Sequence, residues 1–187
     1  MVRVGITVDR LVRAAAELAD TDGLDKVTVS ALARRFGVKD ASLYSHVKNL
    51  RELRVRLALL ASAEMNEAIG AAVAGRSGRD ALVAFADAYR GYALAHPGRY
   101  AATQQRIEPE EVTDPAVVLR SVELTQGMLR GYGLAEPGLT DAGRLLRATF
   151  HGYIHIELSG GFHASRPVDD SWARSLDALH RLLENWS

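Results

Sequence analysis

Cysteine is absent from this 187-residue chain. That excludes a disulfide framework and a thiolate zinc site, and makes a reducing cytoplasm the expected compartment. No apolar run approaches the roughly 20 residues needed to span a bilayer. The opening stretch, MVRVGITVDR, holds no apolar core of signal-peptide length. The expectation is a soluble cytoplasmic protein with no membrane partner. Net charge is missing too, since 23 Lys and Arg balance 23 Asp and Glu. So are strand-like alternation, internal repeats, a phosphate-binding glycine loop, HExxH, GxSxG and a cysteine nucleophile. Gly160-Gly161 follows a helical pattern instead of introducing one, so it ends a helix. No catalytic residue, metal or cofactor is assigned, and an enzyme is not expected.

What remains is helical periodicity from end to end. The spacing predicts an all-α chain of about nine helices, divided into a head of residues 1–50 and a body of residues 51–187. The neutral total hides an asymmetry. Residues 1–56 hold eleven Lys and Arg against seven Asp and Glu, and the remainder holds twelve against sixteen. All three lysines (Lys26, Lys39, Lys48) fall in the first part. A basic head on an acidic body orients a molecule toward a polyanion while limiting indiscriminate binding.

The head is organised around TVSALARRFGVKDASLYSHVK, Thr28 to Lys48. Val29, Leu32, Ala33 and Phe36 form one helical stripe. Gly37 follows where a helix commonly ends in a left-handed residue. A second helix is expected from Lys39 or Asp40, with Asp40 at its cap or against its positive end, running to about Asn49. It carries Leu43 and Val47 on one face. Two short helices around a glycine turn make a helix-turn-helix, whose second helix reads the DNA major groove. Ser42, Ser45 and His46 lie off the apolar stripe with Tyr44 beside it, and Arg34, Arg35, Lys39 and Lys48 surround the pair. Hydroxyls, imidazole and cations are groups that contact phosphates. Before this pair, Thr7 caps a helix with Asp9 in its first turn and Val8, Leu11, Val12, Ala15, Leu18 and Ala19 buried. Arg3 in the preceding arm could reach a neighbouring groove.

The order of residues here resembles the DNA-binding domain of the TetR family of transcriptional regulators. Gly23-Leu24, the Thr-led helix, Ala33, Phe36-Gly37-Val38, Ser42-Leu43-Tyr44 and His46 carry the resemblance, over about residues 7 to 57. It implies phosphate contacts from Tyr44, His46 and Lys48, and base contacts near Lys39, Asp40, Ala41 and Ser42, with Thr28 and Ser45 at the margins. The chain departs from the pattern at Val47 (usually Phe), Leu50 (usually Lys) and Lys39 (usually a small capping residue). Lys48 or Arg51 is left to supply the missing phosphate contact.

Asn49 is expected to cap a fourth helix of about 25 residues, roughly 37 Å long, a lever running from head into body. GRSG at Gly75 breaks it. Further helices are expected over residues 79–95, from Pro97 through Gln105, from Pro115 to Tyr132, from Thr140-Asp141 to Ser159, and from Asp169 or Asp170 to Trp186. IEPEEVT, Ile107 to Thr113, reads as an exposed acidic loop. Val118, Val122, Thr125, Leu129 and Tyr132 mark the expected buried side of the seventh helix.

In the body, HPGRYAA (His96 to Ala102) and FHGYIHIELSGGF (Phe150 to Phe162) resemble TetR-type C-terminal domains with a Trp-His-Gly motif, Phe150 standing in place of Trp. The resemblance implies a regulatory domain that dimerises and holds a small-molecule effector. Phe150, Tyr153, Trp172, Leu176, Leu179 and Leu183 are the expected homodimer interface, the last four at coiled-coil steps. A dimer would place two recognition helices about one DNA turn apart, roughly 34 Å, and so calls for a palindromic double-stranded operator. Met65, Phe85, Tyr89, Tyr92, Tyr100, Gln104, Met128 and His151 have the apolar body and polar tip of ligand-pocket walls. His151 and His155, four apart, could share a metal face, but no third ligand accompanies them. The residues therefore support a ligand-responsive repressor. A helical ligand-binding or adaptor protein whose head has lost DNA affinity stays open beside it.

Overall fold

The computed structural model describes residues 5–186, and its regular structure there is wholly helical. Nine α-helices are formed among the described residues: α1 Val8–Asp22, α2 Val29–Phe36, α3 Asp40–Leu43, α4 Leu50–Val73, α5 Gly78–Ala95, α6 Pro97–Thr103, α7 Pro115–Arg130, α8 Gly138–Leu158 and α9 Val168–Glu184. They fall into two compact units, Met1–Glu64 with His96–Val117 and Met65–Ala95 with Val118–Ser187. This division lies inside α4, beyond the head of residues 1–50 expected from the sequence, and the first unit takes in α6.

Local chemistry sets the elements of the first unit. Thr7 caps α1, its hydroxyl accepting from Arg10 N at 3.2 Å. The α1 face of Leu11, Val12, Ala15, Ala16 and Ala19 is buried against Val29, Leu32 and Ala33 of α2, Leu43 of α3, Leu53 and Leu57 of α4, and Ala102 of α6. These side chains are small, and the helices approach closely. At Gly98, a Cβ would stand 1.9 Å from the carbonyl oxygen of Ala19. Glycine is what lets α6 lie on the α1 backbone there. Polar bonds hold the same contact: Asp20 accepts from Arg99 N at 2.9 Å and lies 3.1 Å from His96 Nδ1. Arg99 also reaches Glu64 at 3.0 Å. Pro97 sits in the first turn of α6, where its missing N–H leaves nothing unpaired.

The second unit is built around rings. Phe85 and Tyr89 of α5, Phe150 of α8 and Trp172 of α9 form a chain of aromatic contacts, with Phe150 centroids 6.3, 6.0 and 5.7 Å from the other three. Arg90 binds Glu157 through two hydrogen bonds of 2.8 and 2.5 Å, reaches Asp169 at 2.7 Å, and lies 5.5 Å from the Trp172 ring. The indole N–H of Trp172 donates to Asp87 at 2.8 Å. One cation thus ties α5, α8 and α9 together.

Several expectations change. Residues 107–113 are not a plain exposed loop, since Pro109–Glu111 forms a 3₁₀ turn. In α7 the buried residues are Leu124, Met128 and Leu129, while Val118 and Val122 are 47% and 48% exposed. Leu129 is buried as expected and Thr125 and Tyr132 are half-buried, so packing turned the buried face toward Leu124 and Met128 and left the N-terminal valines outside. α8 begins at Gly138 instead of Thr140. Pro167, not an aspartate, precedes α9, with Asp169 and Asp170 in its first turn. Phe150, Trp172, Leu176 and Leu183, expected at a homodimer interface, are buried within the single chain at 1–4% exposure and pack its own core. Tyr153 and Leu179 are half-buried, and the Tyr153 hydroxyl donates to Val168 O at 3.0 Å.

Candidate nucleic-acid interface

The glycine turn forms as its residue type requires. Thr28 caps α2, its hydroxyl accepting from Ala31 N at 3.1 Å. Gly37 ends α2 in the left-handed region at φ 66°, and Val38 N returns to Ala33 O at 3.0 Å. α3 is much shorter than expected, ending at Leu43 and not near Asn49. Ser45 Oγ donates to Ser42 O at 2.8 Å, turning the chain so that Val47 is buried beside Leu43. Asn49 then caps α4, accepting from Glu52 N at 2.8 Å, while Glu52 accepts from Lys48 N at 2.7 Å.

Anchoring through Leu43 and Val47 leaves the other side chains of the motif outside. Thr28, Lys39, Asp40, Ala41, Ser42, Tyr44, Ser45 and Lys48 are exposed, and His46 is partly so. Tyr44 is 53% exposed, a large aromatic side chain left half in solvent. The structure thus brings all nine of these residues onto one short segment and its approach. Their roles divide, however. Thr28 and Ser45 have hydroxyls committed to the fold, and Asp40 lies in the first turn of α3, not at its cap, accepting from the Ser30 hydroxyl across the turn. The ammonium groups of Lys39 and Lys48 form no ion pair among the described residues. Arg35 is paired with Glu17.

Arg51, a candidate for the absent lysine, is engaged elsewhere. Its Nε and Nη2 donate to Glu111 at 2.7 and 2.5 Å, and Nη2 also donates to Arg106 O at 2.6 Å. Sequence reasoning missed this contact and the Asp20 clamp on α6, because each joins residues more than fifty positions apart. Arg3 lies outside the described residues.

The expected pocket residues do not share one unit. Met65, Phe85, Tyr89, Tyr92, Met128 and His151 belong to the second, and Tyr100 and Gln104 to the first. Phe85 and Tyr89 are spent on the aromatic core, and burial with nearby His155 and Arg147 lowers the pKa of His151. The His151 and His155 rings are 6.0 Å apart, and no group of three or more potential metal ligands exists among the described residues. A cleft of about 220 Å³ lies in the first unit, lined by Val8, Val12, Leu59, Leu60 and Val117 with Arg13 and Asp114, and contains none of the eight. No described helix is long and apolar enough to cross a membrane.

Comparison with known proteins agrees with this geometry. Residues 11–57 match the model of bacterial regulatory proteins of the tetR family, and residues 82–179 that of a tetracyclin repressor-like C-terminal domain. The HTH-type transcriptional regulator YobS of Bacillus subtilis is 30% identical over 93% of this chain and 91% of its own length. The HTH-type regulator Rv0681 of Mycobacterium tuberculosis is 31% identical over 81% of this chain and 70% of its own. Among solved structures, a protein of unknown function from Rhodococcus sp. RHA1 superposes with a TM-score of 0.77 at 25% identity, covering 95% of both chains. BioQ, solved with its double-stranded DNA operator, superposes at 0.71 and 20% identity over 96% of this chain and 99% of its own, a likeness of fold.

Proposed function

The chain belongs to the TetR family of helix-turn-helix transcriptional regulators, and from that premise we propose that it is a ligand-responsive repressor acting as a homodimer on a palindromic operator. One observation carries the reading: a segment anchored by buried Leu43 and Val47 turns Ala41, Ser42, Tyr44, His46 and Lys48 outward together. Residues 39–42 would meet base edges in the major groove. Tyr44, His46 and the Lys48 ammonium would meet phosphates, beside the positive end of α4. Regulation of transcription, not catalysis, is the activity proposed, in the cytoplasm where the duplex would be.

The dimer passes to outward apolar residues of the second unit. Ile156, Leu158, Phe162 and Leu182 are 41, 41, 38 and 45% exposed, and would be covered by a second copy. Effector binding in that unit would be felt through α4, which runs unbroken across the division between Glu64 and Met65. Coupling of about 1–3 kcal/mol suffices for such a switch.

Selection of bound fragments from a random duplex pool tests the proposal. A recovered inverted repeat is the expected result. Lys48→Ala should then weaken binding to all sequences alike and flatten the salt dependence by about one phosphate. A pool that yields no bound fragment in dilute buffer would overturn the reading.

A further inference from the structure

We propose that Arg51 is a second phosphate-binding fork held in reserve, and that Glu111 withholds it from DNA by occupying the fork with a carboxylate in place of a phosphate. The inference rests on the DNA-binding reading above. Arg51 stands in the first turn of α4, three residues beyond Lys48, where unpaired backbone N–H groups favour an anion. Its neighbour Leu50 offers no charge, so Arg51 is the cation within the first turn itself, beside Lys48 just ahead of it. The guanidinium makes the two parallel hydrogen bonds, 2.7 and 2.5 Å, that it would make to two phosphate oxygens.

Glu111 is set in place as the occupant. Its Oε2 also accepts from Glu108 N at 2.9 Å, a hold on the carboxylate that does not depend on the arginine. Arg51 and that N–H lower its pKa to about 2, so it stays charged wherever DNA binding is measured. The pair is accessible, with side chains 44% and 26% exposed. Exposed pairs hold weakly, so a phosphate can displace the carboxylate once the acidic segment moves. That segment, residues 106–111, lies within the connection from α6 to α7 and also carries Glu108 and Glu110. Drawing it away from α4 would free Arg51 and remove a carboxylate from beside the phosphate-facing surface in one step.

The test is the salt dependence of binding to a random-sequence duplex by the full chain and three variants. Glu111→Gln should bind several-fold tighter at low salt and steepen the slope of log K against log salt by about 0.9, one added phosphate. Arg51→Ala alone should keep the wild-type slope, and Arg51→Ala with Glu111→Gln should return to it. Thermal melting checks that each variant is folded. Should Glu111→Gln not fold, Glu111→Asp, whose shorter carboxylate loosens the fork, should move the slope in the same direction. An unmoved slope in whichever of the two folds overturns the proposal, as does a gain fully retained without Arg51. If wild type binds and the slope stays put, only the reserve fork fails. If neither wild type nor any variant binds duplex, the DNA-binding reading fails and takes the fork with it. Binding by Glu111→Gln alone supports the fork.

Discussion

The two units solve the same packing problem with opposite materials. The first joins helices through alanine, valine and leucine, close enough that one added methyl at Gly98 would collide with the Ala19 backbone. The second centres its packing on the rings of Phe85, Tyr89, Phe150 and Trp172. Close backbone packing makes a platform that holds a few exposed side chains in fixed geometry, as groove reading requires. Ring packing concentrates burial in a few large side chains. The first unit should therefore be sensitive to added volume, and the second to lost volume.

The largest effect is expected at the centre of the ring cluster. Phe150→Ala removes a side chain 1% exposed that touches three other rings. It should cost about 3–5 kcal/mol, read from chemical denaturation. A loss below about 1 kcal/mol would show that the cluster collapses around the gap and that the contrast between units is false. Gly98→Ala tests the other half. Overpacking against backbone should cost about 1–3 kcal/mol and leave the ring fluorescence of the second unit unchanged. Stability equal to wild type would mean that α6 slides freely on α1.

Thr28→Ala should cost about 1 kcal/mol by removing the cap of α2. DNA affinity should fall with it unless the motif is held by tertiary contacts alone. The smallest effect concerns pH. Burial, with Glu184 nearby, raises the phenol of Tyr132 to about 12 from an ordinary 10, and its hydroxyl lies 3.0 Å from His180 Nδ1. A raised pKa means that the folded state holds the proton more firmly. The associated stability is complete below pH 10 and is lost as pH rises toward 12. Tyr132→Phe should abolish that component in a near-ultraviolet titration.

Much of this was legible because it is local. Thr7 and Asn49 at caps, Gly37 after Phe36 and Pro97 in a first turn act within about one helical turn, so spacing alone finds them. The outward face of the motif was legible for the same reason, once Leu43 and Val47 were taken as the anchor. The length of α3 was not, because a hydroxyl of Ser45 competes with continued helix in a way that propensity does not reveal. The buried side of α7 was ambiguous in principle, since Val118 and Val122 satisfy the same period as Leu124 and Met128. The placement of the expected pocket residues was not legible either, because topology distributes side chains similar in character between two units.

Sequence by itself determined that the chain is helical, where most helices begin and end, and that a glycine turn presents hydroxyls and lysines together. Those properties arise from hydrogen bonds and steric preferences within a few residues. Tertiary structure alone decided that α6 joins the first unit, that Trp172 and Leu176 face inward, and that Arg51 is gripped by Glu111. Each of these depends on groups distant in the chain, whose meeting is chosen by the burial of all the others.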